Sequence, residues 1–349
     1  MRSGFLLALA ASQASAALTY KGVDWSSLLV EENAGYSYST VNGKTEPLEN
    51  ILVDSGVTTV RQRLWNNPSA GNYNLDYNLK LAARAKAAGL DIYLDIHYSD
   101  TWADPANQAV PAAWANYDID ELVRAIHDFT LNTMNAFASA GIPLTLVSIG
   151  NEITNGLLFP LGTIEKQPQN TARLLHSASA GIKASKLSKQ PKILIHLDNG
   201  WKSETQEWWY DTVLKQGPFL ATDYDVQAVS YYPFYNADAT LASLKSSLSN
   251  LKSKYGKEVM VVETDWPTYC PKPDYAFPAD ASNIPFSAAG QTTWVQDVAS
   301  VLEDVSGAGL FYWEPAWIKN AGLGSSCKNN LMVDQKGQAL SSLSVFGQI

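Results

Sequence analysis

Two glutamates stand at the ends of apolar segments with the pattern of buried strands. Glu152 ends the segment PLTLVSIGNE, which begins at Pro143, and Glu263 ends the segment VMVVE. Short apolar runs bounded by Pro or Gly are typical of strands that are covered on both faces, as in a parallel sheet. Packing such a strand does not require a carboxylate at its exit. Both side chains are therefore candidates for chemistry.

Two facing carboxylates are the catalytic pair of most glycoside hydrolases. One carboxyl protonates the leaving oxygen, and the other attacks the anomeric carbon or activates water. A nucleophile must stay ionised, and a guanidinium beside it lowers its pKa; Arg61 or Arg63 in the segment RQRLW could provide this charge. The acid must keep its proton, which burial and the negative charge of its partner favour. The spacing leaves both arginines open.

The elements that must position these carboxylates alternate between short apolar runs and longer helical patterns. The predicted strands are 20–24, 57–64, 90–97, 143–149, 192–197, 226–231, 258–263 and 308–313. The predicted helices are 47–54, 76–88, 119–140, 171–186, 204–215, 239–255 and 287–305. Eight strands that alternate with helices predict an α/β fold, a single (β/α)8 TIM barrel with long βα loops at its C-terminal face. A doubly wound open sheet is the alternative.

Residues typical of helix ends support these boundaries. Asp76 is predicted to cap the second helix, which ends at Gly89, and Asp118 is predicted to cap the third, which ends before Gly141. The sequence has 349 residues, enough for one α/β barrel of about 250 residues or more. Neither a linker nor a low-complexity tract divides it. We therefore expect one catalytic domain at 17–349.

Polar side chains follow the predicted strands at the same edge of the sheet, where barrel enzymes place their sites. They are Arg61, Arg63, Asp95, His97, Asn151, Glu152, His196, Asp198, Tyr231, Tyr232, Glu263, Trp313 and Glu314. The pairs Asp95/His97 and His196/Asp198 each place two possible ligands on one strand face, so a Zn²⁺-dependent hydrolase is an alternative. It would leave both glutamates and both arginines unused. A sugar-binding barrel without catalysis is a further alternative, but both glutamates are present and favour an enzyme.

The composition of the chain limits the classes of partner that it is expected to bind. The formal net charge of −9 and the pI near 5.0 argue against nucleic acid and against anionic membranes, because both attract basic surfaces. The 11 Trp and 17 Tyr residues are a heavy aromatic load, and many lie in predicted loops. Aromatic faces on loops suit the flat, apolar faces of sugars.

The N-terminus has the pattern of a secretory signal peptide. Residues 1–16 contain a basic residue at Arg2, an apolar segment and small residues at Ala14 and Ala16, which fit a cleavage site before Ala17. A secreted, extracellular protein folds in an oxidising compartment. Its only two cysteines, Cys270 and Cys327, are therefore expected to form a disulfide.

Taken together, these residues resemble a known family. The segments SIGNEITNGLLFPLG, VSYYPFY, VVETDWP and YWEPAWIKNAGLGSSCKNNLMVD are similar to those of glycoside hydrolase family 53, the fungal-type arabinogalactan endo-β-1,4-galactanases. The similar segments span nearly the whole mature chain. The family belongs to a clan of retaining (β/α)8 glycosidases whose two glutamates end the fourth and seventh strands.

The resemblance implies an endo-acting retaining hydrolase that cleaves β-1,4-galactosidic bonds in the arabinogalactan side chains of pectin. It implies Glu152 as the acid/base and Glu263 as the nucleophile. The expected partner is this polysaccharide; we expect a monomer, and neither a cofactor nor a metal. A mannanase, xylanase or cellulase of the same clan is the alternative, because the catalytic residues contact the anomeric centre and the 2-OH, not the axial 4-OH of galactose.

The resemblance also assigns the surroundings of the two glutamates. Arg61 would contact the nucleophile, Asn151 would bind the sugar 2-OH, Tyr231 would orient Glu263, and Trp313 would lie beneath the sugar at subsite −1. Strand alternation leaves Tyr231 and Tyr232 open, as it does Arg61 and Arg63. The remaining candidates for the cleft are His97, Asp100, His196, Asp198, Trp102, Trp266 and Trp317.

Overall fold

The computed structural model describes residues 17–349 and contains a closed barrel of eight parallel strands. Each strand pairs with the next in sequence, and β8 pairs with β1. The fold class predicted from the alternation of strands and helices is therefore confirmed. The predicted signal peptide, 1–16, lies outside the described residues.

The eight strands agree with the predicted segments to within three residues at either end. They are β1 (Tyr20–Asp24), β2 (Thr59–Leu64), β3 (Asp91–Ile96), β4 (Leu146–Ile149), β5 (Lys192–Leu197), β6 (Val226–Ser230), β7 (Glu258–Glu263) and β8 (Gly309–Tyr312). Strand β4 begins three residues after the predicted start at Pro143. Proline lacks the N–H group that a ladder needs, so it precedes the strand and does not open it.

Eight α-helices surround the barrel. They are α1 (Leu28–Asn33), α2 (Leu48–Asp54), α3 (Leu75–Ala88), α4 (Ile119–Ser139), α5 (Pro168–Lys183), α6 (Ser203–Leu214), α7 (Leu241–Tyr255) and α8 (Ala288–Asp304). Helix α1 was not predicted, because six residues are too few to show a helical period. Asp118 caps α4 in a capping box with Glu121, as expected. The predicted cap Asp76 is wrong, since the Asn74 side chain accepts the Tyr77 N–H at the start of α3.

The interior of the barrel is filled by one apolar layer. Its members are Tyr20, Tyr93, Leu146, Leu194, Val226, Ala228, Met260, Val262 and Phe311. Gly22 is required beside this layer, since a Cβ there would lie 2.2 Å from the Phe311 ring. The Arg61 guanidinium lies 5.5 Å from the centroid of the Tyr93 ring. The first charged group of the site thus rests directly on the packed interior.

One disulfide joins two segments that follow neighbouring strands. Cys270 and Cys327 form the expected disulfide, which joins the segment after β7 to the segment after β8. Phe234, which follows β6, packs against both cysteines.

Within residues 17–349, no helix combines the length and the hydropathy needed to cross a bilayer.

Candidate active site

The two glutamates predicted from the sequence lie in one cleft at the C-terminal ends of the strands. Glu263 is the last residue of β7, and Glu152 follows β4 by three residues. Both line a cavity together with Arg61, Asn151 and residues of the segments that follow β6 and β8. Strands 4 and 7 lie on opposite sides of a closed eight-stranded barrel, so the carboxyl groups approach each other across its mouth.

Glu263 is held by an ion pair and a hydrogen bond. Arg61 Nη2 lies 2.8 Å from its Oε1, and the Tyr232 hydroxyl donates to its Oε2 at 2.8 Å. The carboxylate is only 6% exposed, so its position depends on these two partners. Of the two arginines that the sequence leaves open, Arg61 is therefore the one that contacts Glu263.

Arg61 contacts groups from three other parts of the barrel as well. Its Nη1 donates to Asp24 Oδ2 at 2.7 Å, and its Nη2 donates to Asp95 Oδ2 and to Asn151 Oδ1, each at 2.9 Å. Charge-assisted hydrogen bonds of this kind are about twice as strong as neutral ones. The guanidinium therefore fixes the relative positions of Glu263 and Asn151.

The prediction that Tyr231 orients Glu263 is wrong. The Tyr231 hydroxyl donates to the Ala239 carbonyl at 2.8 Å, and its ring stacks on Trp294, outside the barrel. The pairing register between β6 and β7 shifts at Ser230. Alternation nevertheless continues through Ser230, since Val226 and Ala228 lie in the barrel interior and Ser230 and Tyr232 line the cleft. It is Tyr232 that contacts the carboxylate.

Glu152 lies in a different environment. It has a left-handed backbone conformation with φ 48° and ψ 49°, which is uncommon for a residue other than glycine and is concentrated at functional sites. Burial raises the pKa of Glu152 well above its ordinary value, and the negative charges of Glu263 and Asp198 act in the same direction. This carboxyl is therefore the one that holds a proton.

For Glu263 the contributions oppose each other. Burial raises the pKa of Glu263, whereas the positive charge of Arg61 and the hydrogen bond from Tyr232 lower it. Of the two carboxyls, Glu152 has the more strongly raised pKa, because Arg61 and Tyr232 contact Glu263 directly and favour its ionised form.

His97 lines the cleft in its neutral form. Its Nδ1 accepts hydrogen bonds from the Ala103 N–H at 3.1 Å and from Trp65 Nε1 at 3.2 Å, so Nε2 carries the proton that faces Asp95 Oδ2 at 3.1 Å. Burial lowers the pKa of His97. The imidazole thus connects Ala103, in the loop after β3, to Asp95, which also accepts a hydrogen bond from Arg61.

The two residues predicted on β5 differ in position. Asp198 lines the cleft and accepts hydrogen bonds from Thr154 Oγ1 and Asn199 Nδ2. His196 is completely buried, and burial lowers its pKa to about 3. Its Nε2 lies 2.8 Å from the hydroxyl of Ser230, which lines the cleft near Glu152. The prediction that His196 lines the cleft is therefore corrected: His196 lies below the cleft and contacts Ser230.

Asp100 and Trp266 were also predicted in the cleft, and the structure places both elsewhere. The Asp100 carboxylate accepts the backbone N–H groups of Asn67 and Ala112, each at 2.8 Å, so it braces two loops. Trp266 is 0% exposed and stacks on Trp294 at 5.1 Å. The sequence could not distinguish these roles, because Asp and Trp in long loops serve bracing and packing as often as binding.

Trp313 lines the cleft as predicted, and Trp317 lies beside it with ring centroids 6.3 Å apart. Trp102 joins them from the loop after β3. Asp24 and Tyr235 are among the residues of the site that the sequence analysis missed. Asp24 ends β1 in the same pattern, a strand closing in an acid, and could have been found; Tyr235 lines the cleft from an aromatic run that gave no sign of which ring faces solvent.

The two Asp/His pairs do not converge as a metal site would require. Each of the four side chains has a protein group as its partner, as described above, and His97 pairs with Asp95 itself. Among residues 17–349, no group of three or more His, Cys, Asp or Glu side chains could hold a metal ion. The geometry of these residues is that of a hydrogen-bonded cleft.

Comparison with known proteins connects this cleft to a family. A model of glycosyl hydrolase family 53 matches residues 20–346. The arabinogalactan endo-β-1,4-galactanase of Humicola insolens is 62% identical over 334 residues, which cover 95% of this chain and 100% of the relative. A solved fungal β-1,4-galactanase is 61% identical with a TM-score of 0.94, covering 95% of this chain and 100% of that chain. The catalytic domain of a family 53 protein from Ignisphaera aggregans is 31% identical with a TM-score of 0.82, covering 94% and 95%.

The pKa shifts predict how stability depends on pH. Burial raises the pKa of Glu314, beside the cleft, to about 7, and the ion pair with Arg63 offsets this rise only in part. A carboxyl with a raised pKa binds its proton more tightly in the folded state. Its contribution to the free energy of unfolding is present below the unfolded value near 4.5 and is lost as the pH rises through about 7.

We therefore expect the free energy of unfolding to fall between pH 5 and pH 8, by an amount on the order of 3 kcal/mol from this one group. Urea unfolding at a series of pH values measures the slope. The variant Glu314→Gln should show a shallower fall, because the titrating group is gone. A free energy of unfolding that rises over this range would contradict the prediction.

Proposed function

Because the chain belongs to glycosyl hydrolase family 53, we propose that it is an endo-acting glycosidase that cleaves β-1,4-galactosidic bonds within arabinogalactan. One observation supports the chemistry above all others. Glu152 and Glu263 share one cleft, and only Glu263 is held by both a guanidinium and a phenol. Identity above 60% over almost the full length of a named galactanase supports the substrate.

In the proposed mechanism, Glu263 attacks the anomeric carbon while Glu152 protonates the oxygen of the leaving sugar. The glycosidic bond breaks, and a covalent bond to Glu263 forms with inversion. Glu152, now ionised, then removes a proton from water, which attacks the same carbon and inverts it again; the bond to Glu263 breaks and its carboxylate is released. Two inversions retain the β configuration, and Glu152 recovers its proton for the next cycle.

The partners of the glutamates support each step. Arg61 and Tyr232 keep Glu263 ionised and aimed, and their hydrogen bonds are released in part as its charge passes to the new bond. Asn151 Nδ2 donates one proton to the Ala103 carbonyl at 2.7 Å, so its second proton is available for a sugar hydroxyl. The raised pKa of Glu152 keeps the acid protonated before the attack.

We infer the selectivity for galactose from the family of the chain, because the catalytic groups do not discriminate between these sugars. Mannan, xylan and cellulose present the same anomeric chemistry to a pair of glutamates, and their hydrolases form the same clan. Galactan differs from cellulose in its axial 4-OH. We propose the galactan side chains of pectin as the substrate because relatives that cover the whole chain are galactanases.

We expect the protein to release oligosaccharides from β-1,4-galactan much faster than from mannan, xylan or cellulose. Glu152→Ala and Glu263→Ala should each lower kcat on galactan by at least about a hundredfold, the usual contribution of such groups. Glu204→Ala, which removes an exposed carboxylate on α6, is the matched control and should retain full activity. Chromatography of the products measures both comparisons.

Early products followed by proton NMR test the double displacement separately. The newly formed reducing end should appear first as the β anomer. If the α anomer appears first, hydrolysis of galactan stands but the covalent intermediate on Glu263 does not. Full activity of both alanine variants would instead show that the chemistry lies elsewhere.

The neighbouring tyrosines offer a matched pair of variants. Tyr232→Phe removes the hydrogen bond to the Glu263 carboxylate and should lower kcat/KM by roughly tenfold to a hundredfold, since such bonds contribute about 1.5–3 kcal/mol. Tyr231→Phe removes only the bond to the Ala239 carbonyl and should leave kcat/KM near the wild-type value. Equal losses in the two variants would contradict the assigned orientation.

We further propose that the protein is secreted as a monomer after removal of residues 1–16. The N-terminal pattern and the disulfide support export. Mass spectrometry of the secreted protein should find a mature N-terminus near Ala17, and light scattering should give the mass of one chain. A retained N-terminal segment, or a dimer mass, would contradict the corresponding part.

A further inference from the structure

Three indole rings form one side of the cleft, which we call the aromatic wall. Trp102 comes from the loop after β3, whereas Trp313 and Trp317 follow β8. Trp102 stacks on Trp317 with ring centroids 6.1 Å apart, and its centroid is also 6.1 Å from that of Trp313. Trp102 and Trp313 line the cavity that holds the two glutamates. The wall therefore depends on two loops that are remote in sequence.

A buried cation lies against this wall. The guanidinium carbon of Arg63 is 4.4 Å from the ring centroid of Trp102 and 5.1 Å from that of Trp317. A third ring, Tyr73, lies 4.2 Å away. Arg63 is only 1% exposed, so its surroundings are these rings and its polar partners, not solvent. Planar guanidinium groups stack on aromatic faces in a way that an ammonium cannot reproduce.

Glu314 anchors the arginine and the wall together. Its Oε1 accepts Arg63 Nη1 at 2.5 Å, the Ser27 hydroxyl at 2.7 Å and the Ser27 N–H at 3.0 Å. Glu314 adjoins Trp313 in sequence and has a left-handed backbone with φ 44°. Such a conformation persists only where its surroundings enforce it. The ion pair thus fixes the backbone that carries Trp313.

The ion pair between Arg63 and Glu314 takes no part in the proposed mechanism. The proton and covalent steps use Glu152, Glu263 and the partners of Glu263, and Arg63 approaches that network only through Asp24 Oδ1 at 3.8 Å. Buried ion pairs stabilise a fold poorly compared with apolar packing of the same volume. Its position between the wall and β1 points to a role in binding.

We propose that Arg63 and Glu314 are positioning residues for carbohydrate binding, which hold the aromatic wall of Trp102, Trp313 and Trp317 in the orientation that stacks on the sugar chain. This rests on the polysaccharide substrate proposed above. Arg63 supplies a flat cation that two of the indoles share, and Glu314 sets the angle of that cation and of the third indole. Without the pair, each ring keeps its neighbours but loses its fixed orientation.

The test is a steady-state comparison on β-1,4-galactan and on galactotetraose. Arg63→Lys keeps the charge but loses the planar stack, and we expect KM to rise about tenfold while kcat stays within about twofold. Arg84→Lys is the matched control, because Arg84 also pairs with two carboxylates, Glu32 and Glu49, but lies on the outer surface of the barrel. It should leave KM and kcat unchanged.

A double-mutant cycle separates positioning from direct contact with the sugar. Trp102→Ala removes the indole that lies closest to the Arg63 guanidinium. Adding Arg63→Lys to this variant should therefore raise KM much less than Arg63→Lys does alone. Near-UV circular dichroism should show reduced indole signals in Arg63→Lys and in Glu314→Gln, but not in Arg84→Lys. Glu314→Gln should raise KM in the same direction, and it decides the matter if Arg63→Lys does not fold.

Three results would overturn the proposal. They are a wild-type KM in both Arg63→Lys and Glu314→Gln, fully independent effects of the Arg63 and Trp102 variants, or a loss in kcat at unchanged KM. A wild-type protein that fails to hydrolyse galactan would instead overturn the proposed function. An active wild type with an unaffected Arg63→Lys variant overturns only the positioning role.

Discussion

The site depends on one buried guanidinium. Arg61 is almost completely buried and donates to Asp24 at the end of β1, Asp95 on β3 and Asn151 after β4. It also forms an ion pair with Glu263 at the end of β7. A charge removed from water is tolerated only when it is paired and hydrogen-bonded. Because its partners belong to four different strands, their relative positions follow from satisfying a single cation.

The balance of buried charge explains why the two glutamates differ. Two arginines, Arg61 and Arg63, face more carboxyl groups than they can neutralise, and the excess acids keep protons. Burial raises the pKa values of Glu152 and Asp265 well above their ordinary range, while Glu263 has Arg61 as a direct partner. The carboxyl proposed as the acid has no direct cation partner among the described residues, whereas the proposed nucleophile pairs with Arg61.

The barrel and the two glutamates were predictable because both depend on short-range patterns. An apolar run that closes in an acid identifies the strand and its functional end together. Which of two adjacent side chains points inward was not predictable, because β6 is buried on both faces and its sequence does not show which face is the interior. Val226 and Ala228 lie in the interior, so Tyr232 shares their face and Tyr231 does not. Nor were the positions of Asp100 and Trp266, since their partners, Asn67 and Trp294, are remote in sequence and come close only in the folded loops.

The disulfide has a consequence for motion in the cleft. It ties the segment after β7 to the segment after β8, and both cysteines pack against Phe234 in the same aromatic run as Tyr232. Three loops from neighbouring strands are therefore joined to one another. The loop after β3 is joined to them as well, since Trp102 stacks on Trp317. Arg61 contacts both Asn151, next to Glu152, and Glu263. We therefore expect the cleft to keep its width when it admits an internal stretch of polymer.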